Sequence, residues 1–276
     1  MNSDIKIIID GLEDISEKNI ITPAAEEDNE WSHIFKCIQY NGDGETTVSS
    51  EQIKNAGKTW KGKKSQFEPR LLCKQDTSEK RPDIFKKYGI HILSIANGLY
   101  LLTKTNIYHR LLYIDLDIIE IPKNNKSLLL TIGNSEMSII DNLRYSGLFE
   151  RTEYLNEPIL FGSVMNGRHR CSFTTILNTN EIIVSGSQYE TDSCYESENK
   201  ILLIEGKGGN NESFNIRQLY YPFRTIYDLV KNKKVIIPIY INMDKQKIIH
   251  IWRFVFTNPI ELTSITCVSY NKYKLI

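Results

Sequence analysis

Residues 201–228 read ILLIEGKGGNNESFNIRQLYYPFRTIYD. The four apolar residues at 201–204 predict a buried strand, and Glu205 and Lys207 follow on either side of Gly206. Side chains two apart on a strand point to one face, so a carboxylate and an ammonium leave the core side by side. Beyond the glycines, Ile216, Leu219, Tyr220, Phe223, Ile226, Tyr227 and Val230 recur at three- and four-residue spacing and predict a helix over about 212–230. Its other face carries Arg217, Gln218, Tyr221, Arg224 and Thr225, with Pro222 in the same stripe, which is expected to be exposed and kinked. VIIPIYI (235–241) then predicts a strand. Strand, helix and strand in this order form a crossover unit whose two strands lie parallel.

Upstream, RCSFTTIL (170–177) and EIIVSGSQYETD (181–192) are expected as antiparallel strands, with a polar turn leading from the second into 199–207. SEMSIIDNLRYSGLFE (135–150) predicts a helix capped by Ser135 and stopped at Gly147. IHILSIANGLYLL (90–102) reads as strands about a turn at Asn97-Gly98, and LLYIDLDIIEI (111–121) as a further strand. Ser49-Ser50-Glu51-Gln52 is a capping box opening a helix expected to stop at Gly57. IIHIWRFVF (248–256) predicts the last strand. The fold class is α/β in the α+β sense, a mixed sheet with helices packed against it. A change of texture near 125 divides the chain into 1–124 and 125–276.

The 276 residues, 41% hydrophobic and 25% charged, describe an ordinary globular protein with a sizeable core. Net charge is zero, but the distribution is uneven: residues 1–30 hold nine acids and two lysines, and residues 52–90 hold eleven Lys/Arg against four acids. A local positive excess of that kind, including Lys61, Lys63 and Lys64, suits a phosphate backbone, although a solvated basic face has the same composition. The five cysteines are scattered, with no CxxC spacing, which points to a reducing, cytoplasmic setting. The N-terminus lacks the positive charge of a signal peptide, and no apolar run reaches membrane-spanning length. The five histidines are isolated, and GKGGNN lacks phosphate-loop spacing, so histidine-based hydrolysis and nucleotide binding find no support.

Parity places Gln188, Glu190 and Asp192 on one strand face, as it does Glu205 and Lys207. If the two strands form a hairpin, Asp192 and Glu205 meet at one rim of the sheet with Lys207 beside them. Converging carboxylates repel unless a cation lies between them. Mg²⁺ is the expected occupant, since it takes carboxylate oxygens and keeps several waters. A lysine beside a metal-bound water suits phosphodiester hydrolysis. The competing reading is a surface salt bridge at a strand end.

The run ETD…IEGK resembles the PD-(D/E)xK signature of restriction-endonuclease-like nucleases, with Asp192, Glu205 and Lys207 at the matching positions. Gln218 resembles the glutamine that many members carry on the following helix. SQYETD…IEGK…FNIRQLYYPFR, with EPRLLCK…RPDIFKKYGIHIL upstream, is similar to type II restriction endonucleases. Thr191 stands where the signature has proline, and Gly206 where an apolar residue is usual; Glu190 is an alternative first ligand, and Glu136 resembles an accessory acid.

The resemblance implies a restriction-endonuclease-like catalytic domain at 125–276 and an N-terminal DNA-recognition region at 1–124. It further implies Mg²⁺-dependent, sequence-specific cleavage of double-stranded DNA by a homodimer, with a cognate DNA methyltransferase in the same system. Arg217 and Arg224 would contact the DNA backbone, together with Lys61, Lys63 and Lys64. A catalytically silent DNA-binding protein of the same fold, or a nuclease of repair or modified DNA, are the alternatives.

Overall fold

The computed structural model describes residues 22–25, 29–124, 126–127, 130 and 135–276; the acids of 1–21 and 26–28 and the side chain of Lys64 lie outside the described residues. Among the described residues the α-helices are α1 (Glu30–Ile38), α2 (Ser50–Thr59), α3 (Pro69–Leu72), α4 (Asp83–Lys87), α5 (Glu136–Tyr145) and α6 (Arg217–Val230). The strands in the first half are β1 (Thr46–Ser49), β2 (His91–Ala96), β3 (Leu99–Thr103), β4 (Tyr108–Arg110) and β5 (Ile118–Ile121). Those in the second half are β6 (Gly167–Leu177), β7 (Asn180–Thr191), β8 (Ser193–Glu196), β9 (Lys200–Gly208), β10 (Ser213–Asn215), β11 (Val235–Met243), β12 (Ile249–Phe256) and β13 (Ile265–Leu275). The fold is α+β with mixed sheets.

Two larger sheets organise the molecule. One has the order β1-β3-β2-β7-β6 and the other β5-β13-β12-β11-β9-β8, while β10 and β4 form a small ribbon. The first sheet crosses the expected boundary at 124, because β2 joins β7 in parallel through Ala96 and Ser185. Side chains reinforce the seam: the Ser94 and Ser187 hydroxyls lie 2.9 Å apart, and Tyr221 donates to the Ser94 carbonyl. β4 and β5, although N-terminal to 124, pair with β10 and β13 of the second half.

The strand expected over 181–192 is bent. Residues 181–191 pair with β6 in one sheet, and beyond Asp192 the chain continues as β8 in the other, pairing antiparallel with β9. The hairpin partner of β9 is therefore 193–196, not 181–192, and Asp192 sits at the corner between the sheets. β9 and β11 are parallel, with Glu205 beside Tyr240 and Lys207 beside Asn242. The segment 111–117 is not a strand. It crosses the sheet face instead, its Leu112 carbonyl accepting from the Trp252 indole and its Tyr113 hydroxyl from Asn242.

Alternation along β9 assigns its two faces. Leu202 and Ile204 pack with Ile139, Ile140 and Leu143 of α5, and Ile201 and Leu203 pack with the aromatic side of α6. Ser135 caps α5 by accepting from the Ser138 amide, and Gly147 follows at φ 77°, a left-handed conformation that suits glycine. Ser49 and Gln52 form the capping box of α2, but that helix runs to Thr59, past Gly57.

α6 lies between the sheets, against β6 and β7 on one side and β9 and β11 on the other. Both of its sides are therefore packed, and the expected exposed stripe is not exposed: Tyr221, Pro222 and Arg224 are buried. Arg224 is 8% exposed, pairs with Asp228, and lies over the rings of Phe173 and Tyr227. Its long stem and flat guanidinium make it compatible with such an aromatic bed. The expectation that Arg224 touches a DNA backbone is corrected: it is a packing residue. Arg224→Ala is expected to lower unfolding free energy by about 1–3 kcal/mol, and a denaturation curve unchanged from the parent protein would contradict that.

Candidate active site

β9 carries its last side chains out of the core at the corner where β7 turns into β8. Glu205 is 5% exposed, and its Oε1 accepts from the Lys207 ammonium at 2.6 Å and from Gln218 Nε2 at 2.7 Å. Lys207 Nζ also lies 3.9 Å from Asp192 Oδ2 and 4.0 Å from Glu136 Oε2. Three carboxylates from three elements thus surround one ammonium. This is not a surface salt bridge; the desolvation of a buried pair cancels much of its attraction, so its contribution to stability is small.

The backbone helps to build the cluster. The Gly206 N–H donates to Asp192 Oδ2 at 2.7 Å, and the Gly208 N–H donates to Glu136 Oε1 at 3.0 Å. A side chain at Gly206 would press on Ile140, its Cβ falling 3.2 Å from Ile140 Cδ1. This explains the departure from an apolar residue there: α5 fills the space that such a side chain would take.

Burial pushes the Glu205 carboxyl up to about 8; Lys207 opposes the shift and Asp192 adds to it. Burial raises Asp192 as well, against the pull of Lys207 and the Gly206 N–H. Burial works against the Lys207 ammonium, but the Glu205 and Asp192 carboxylates outweigh it and hold Lys207 above the ordinary lysine range. The ammonium stays protonated, while burial makes the Glu205 and Asp192 carboxyls hold a proton more readily than ordinary ones.

Asp192, Glu205, Lys207 and Gln218 line a cleft of about 690 Å³. Arg217 lines it, with its guanidinium donating to the Gln188 carbonyl at 3.2 Å. Lys54, Arg70 and Lys74 line the wall contributed by the first half of the chain together with Glu68 and with Asp76, which pairs with Lys74 at 3.6 Å, and Arg168 lines the other wall. Lys61 and Lys63, expected as phosphate contacts, are exposed but do not line this cleft. The basic run does reach the site, but through different members. Periodicity gave one signal for this: Ser50 and Lys54 lie one turn apart at the start of the capped helix α2.

Glu190 also borders the cleft, but it pairs with Arg168 at 2.9 Å, its register partner on β6. The arrangement therefore brings together Asp192, Glu205, Lys207, Gln218 and Glu136, and engages Glu190 elsewhere. Among the described residues no group of three or more His, Cys, Asp or Glu is arranged to hold a metal ion. Asp192 and Glu205 are nonetheless a pair of hard oxygen donors at an open cleft, the donor chemistry that suits Mg²⁺ with its remaining positions filled by water. No helix among the described residues is long and apolar enough to cross a membrane.

The chain belongs to the family described as Domain of unknown function (DUF6997), which matches residues 103–274. Residues 28–102 match a second family, described as Domain of unknown function (DUF6996). The two matches meet between 102 and 103, next to the end of β3. No curated protein and no solved structure matches the chain.

Proposed function

We propose that this member of the DUF6997 family is a Mg²⁺-dependent endonuclease of the type II restriction class, hydrolysing phosphodiester bonds of double-stranded DNA. The observation that carries the reading is the convergence of Asp192, Glu205 and Glu136 on Lys207 within 4.0 Å, beside a cleft that Lys54, Arg70 and Arg217 also line. Order and pairing add support. α5, the antiparallel β8–β9 pair, α6 and a strand β11 parallel to β9 match part of the helix–strands–helix–strand order expected of a restriction-endonuclease-like core, while β6 and β7, expected in the same sheet, lie in the other one.

Asp192 and Glu205 would hold Mg²⁺, which supplies an acidified water and neutralises phosphate charge. Lys207 stays protonated and offers a fixed positive charge where negative charge develops on the phosphate. Gln218 holds Glu205 Oε1 and so fixes the carboxylate plane. Arg217 faces the same cleft and offers a guanidinium to the flanking phosphate. One such cluster per chain cuts one strand, so a two-fold symmetric homodimer is the simplest means of cutting both. A methyltransferase of matching specificity is the partner that would protect host DNA.

Incubating the protein with plasmid DNA and Mg²⁺ tests the reading. Discrete fragments that disappear with a chelator are expected; intact DNA across varied substrates, with Mg²⁺ or Mn²⁺, would sink it. A finer prediction concerns Arg217. Arg217→Ala is expected to weaken binding about equally on cognate and random DNA and to lower the slope of log affinity against log salt by about one. A loss confined to one base position would make Arg217 a sequence reader instead.

The raised Glu205 gives a pH prediction. Its folded value lies above its unfolded one, so between the ordinary carboxylate range and about 8 the folded state binds the extra proton. Through that window this group lowers stability as pH rises. A divalent cation competes with the same proton, so cation binding tightens as pH rises from 6 to 8. Thermal melts with and without Mg²⁺ are expected to show a larger stabilisation at pH 8 than at pH 6. Equal shifts at both would count against Glu205 as a ligand.

A further inference from the structure

Asn242 is fully buried, at 0% exposure, and lies directly beside Lys207 in the parallel register of β9 and β11. Register partners on parallel strands share a face, so the two side chains stand next to each other on the α6 side of the sheet. The hydrogen bonds fix the orientation of the Asn242 amide. The Tyr113 hydroxyl has one proton, which goes to the Asn211 carbonyl at 2.7 Å. It must therefore accept from Asn242, whose Nδ2 lies 2.6 Å away. That turns Asn242 Oδ1 away from Tyr113, and among the described residues this buried oxygen has no hydrogen-bond partner.

The same reasoning applies to Gln218. Its Nε2 must face the carboxylate of Glu205, which leaves Oε1 as a second buried acceptor without a partner among the described residues. Leaving a buried acceptor unpaired is costly, so each calls for an account. Meanwhile the Lys207 ammonium spends its bonds on Glu205 Oε1 and on the Gly206 carbonyl at 3.1 Å. It lies 2.6 Å from Glu205 Oε1 and 3.9 Å from Asp192 Oδ2, in reach of both carboxylates that would hold a metal. An ammonium and a divalent cation cannot share that space.

We infer that Asn242 is a positioning residue whose Oδ1 is a second resting place for the Lys207 ammonium, taken up when a divalent cation lies between Asp192 and Glu205. This rests on the nuclease reading of the cluster. Lysine is suited to such a move, a compact charge on a flexible four-carbon stem. The move gives the ammonium a buried neutral acceptor in place of the carboxylate it gives up. It also keeps the positive charge beside the cation without contact. The unpaired oxygen of Asn242 is then an acceptor reserved for the loaded state.

Mn²⁺ affinity, read by the loss of its free-ion paramagnetic resonance signal, tests this without any measurement of cleavage. Four proteins are compared: the parent chain, Asn242→Leu, Lys207→Ala and the double variant. Asn242→Leu is expected to weaken Mn²⁺ binding by about tenfold when Lys207 is present, the loss of one hydrogen bond to a charged group. In the Lys207→Ala background the same change is expected to have no effect. Equal weakening in both backgrounds, or none in either, overturns the proposal while leaving the nuclease reading in place. A parent chain that binds no Mn²⁺ overturns both. Should Asn242→Leu fail to fold, Asn242→Asp takes its place: binding at least as tight as the parent is expected, and a loss that persists without Lys207 overturns the inference.

Discussion

Lys207→Ala is expected to lose DNA cleavage by about 10²–10³-fold while keeping its affinity for DNA within a few-fold. The asymmetry follows from where the ammonium sits. It lies against Glu205, whereas the other cations lining the cleft are Lys54, Arg70 and Arg217, with Lys74 and Arg168 paired to Asp76 and Glu190. On the nuclease reading, ground-state binding would rest on Lys54, Arg70 and Arg217, and the lysine would be needed where charge develops during the reaction. The variant also removes the cation that three carboxylates share. Glu205 can respond by keeping its proton, since burial already raises its value to about 8. The fold should therefore survive, with a melting temperature closer to that of the parent at pH 5 than at pH 8. Cleavage and binding measured side by side decide the matter: a fully active Lys207→Ala would reduce the Glu205–Lys207 pair to a structural contact.

Most of what the site needs is written locally. The run into Glu205 and Lys207, the parallel return of β11 and the capped helix α5 are each short-range signals, and the structure contains them all. What could not be read is what depends on two distant surfaces at once. The bend at Asp192 leaves no local mark, because the polar run Glu190-Thr191-Asp192-Ser193 holds no glycine or proline at the point where the pairing partner changes from β6 to β9. The outer face of α6 looks solvated from its own sequence, since Arg224 and Tyr221 are residues of water-facing helices; only the second sheet makes them buried. β13 escaped for a related reason. Of its eleven residues only Ile265, Tyr270 and Tyr273 are buried, too few and too widely spaced to show alternation. The basic wall was misplaced within a legible charge run, because a run gives each lysine equal weight and only the packing of α2 and α3 selects Lys54, Arg70 and Lys74.

The choice between Asp192 and Glu190 is where geometry adds most to the sequence. Both acids lie on one strand face at the same cleft, and spacing alone treats them alike. Asp192 stands at the corner between the sheets, 23% exposed, with Oδ2 tied to the Gly206 N–H and 3.9 Å from Lys207. Glu190 is 60% exposed and spends its charge on Arg168. A surface pair of that kind contributes at most about 1 kcal/mol, so Glu190→Gln is expected to fold normally and keep cleavage within a few-fold. Asp192→Asn is expected to behave otherwise. The amide can still accept from the Gly206 N–H, so the corner of the sheet should hold, but one of two anionic donors is gone. Mg²⁺ binding should weaken by at least about tenfold, and cleavage should fall by about 10²–10³-fold at low Mg²⁺. If the metal is held at this corner, excess Mg²⁺ should recover part of that loss by mass action. The pair of variants separates the roles in one titration of cleavage against Mg²⁺ concentration. The opposite pattern, a silent Asp192→Asn and an inactive Glu190→Gln, would move the metal off the β7–β8 corner and onto the exposed rim of β7.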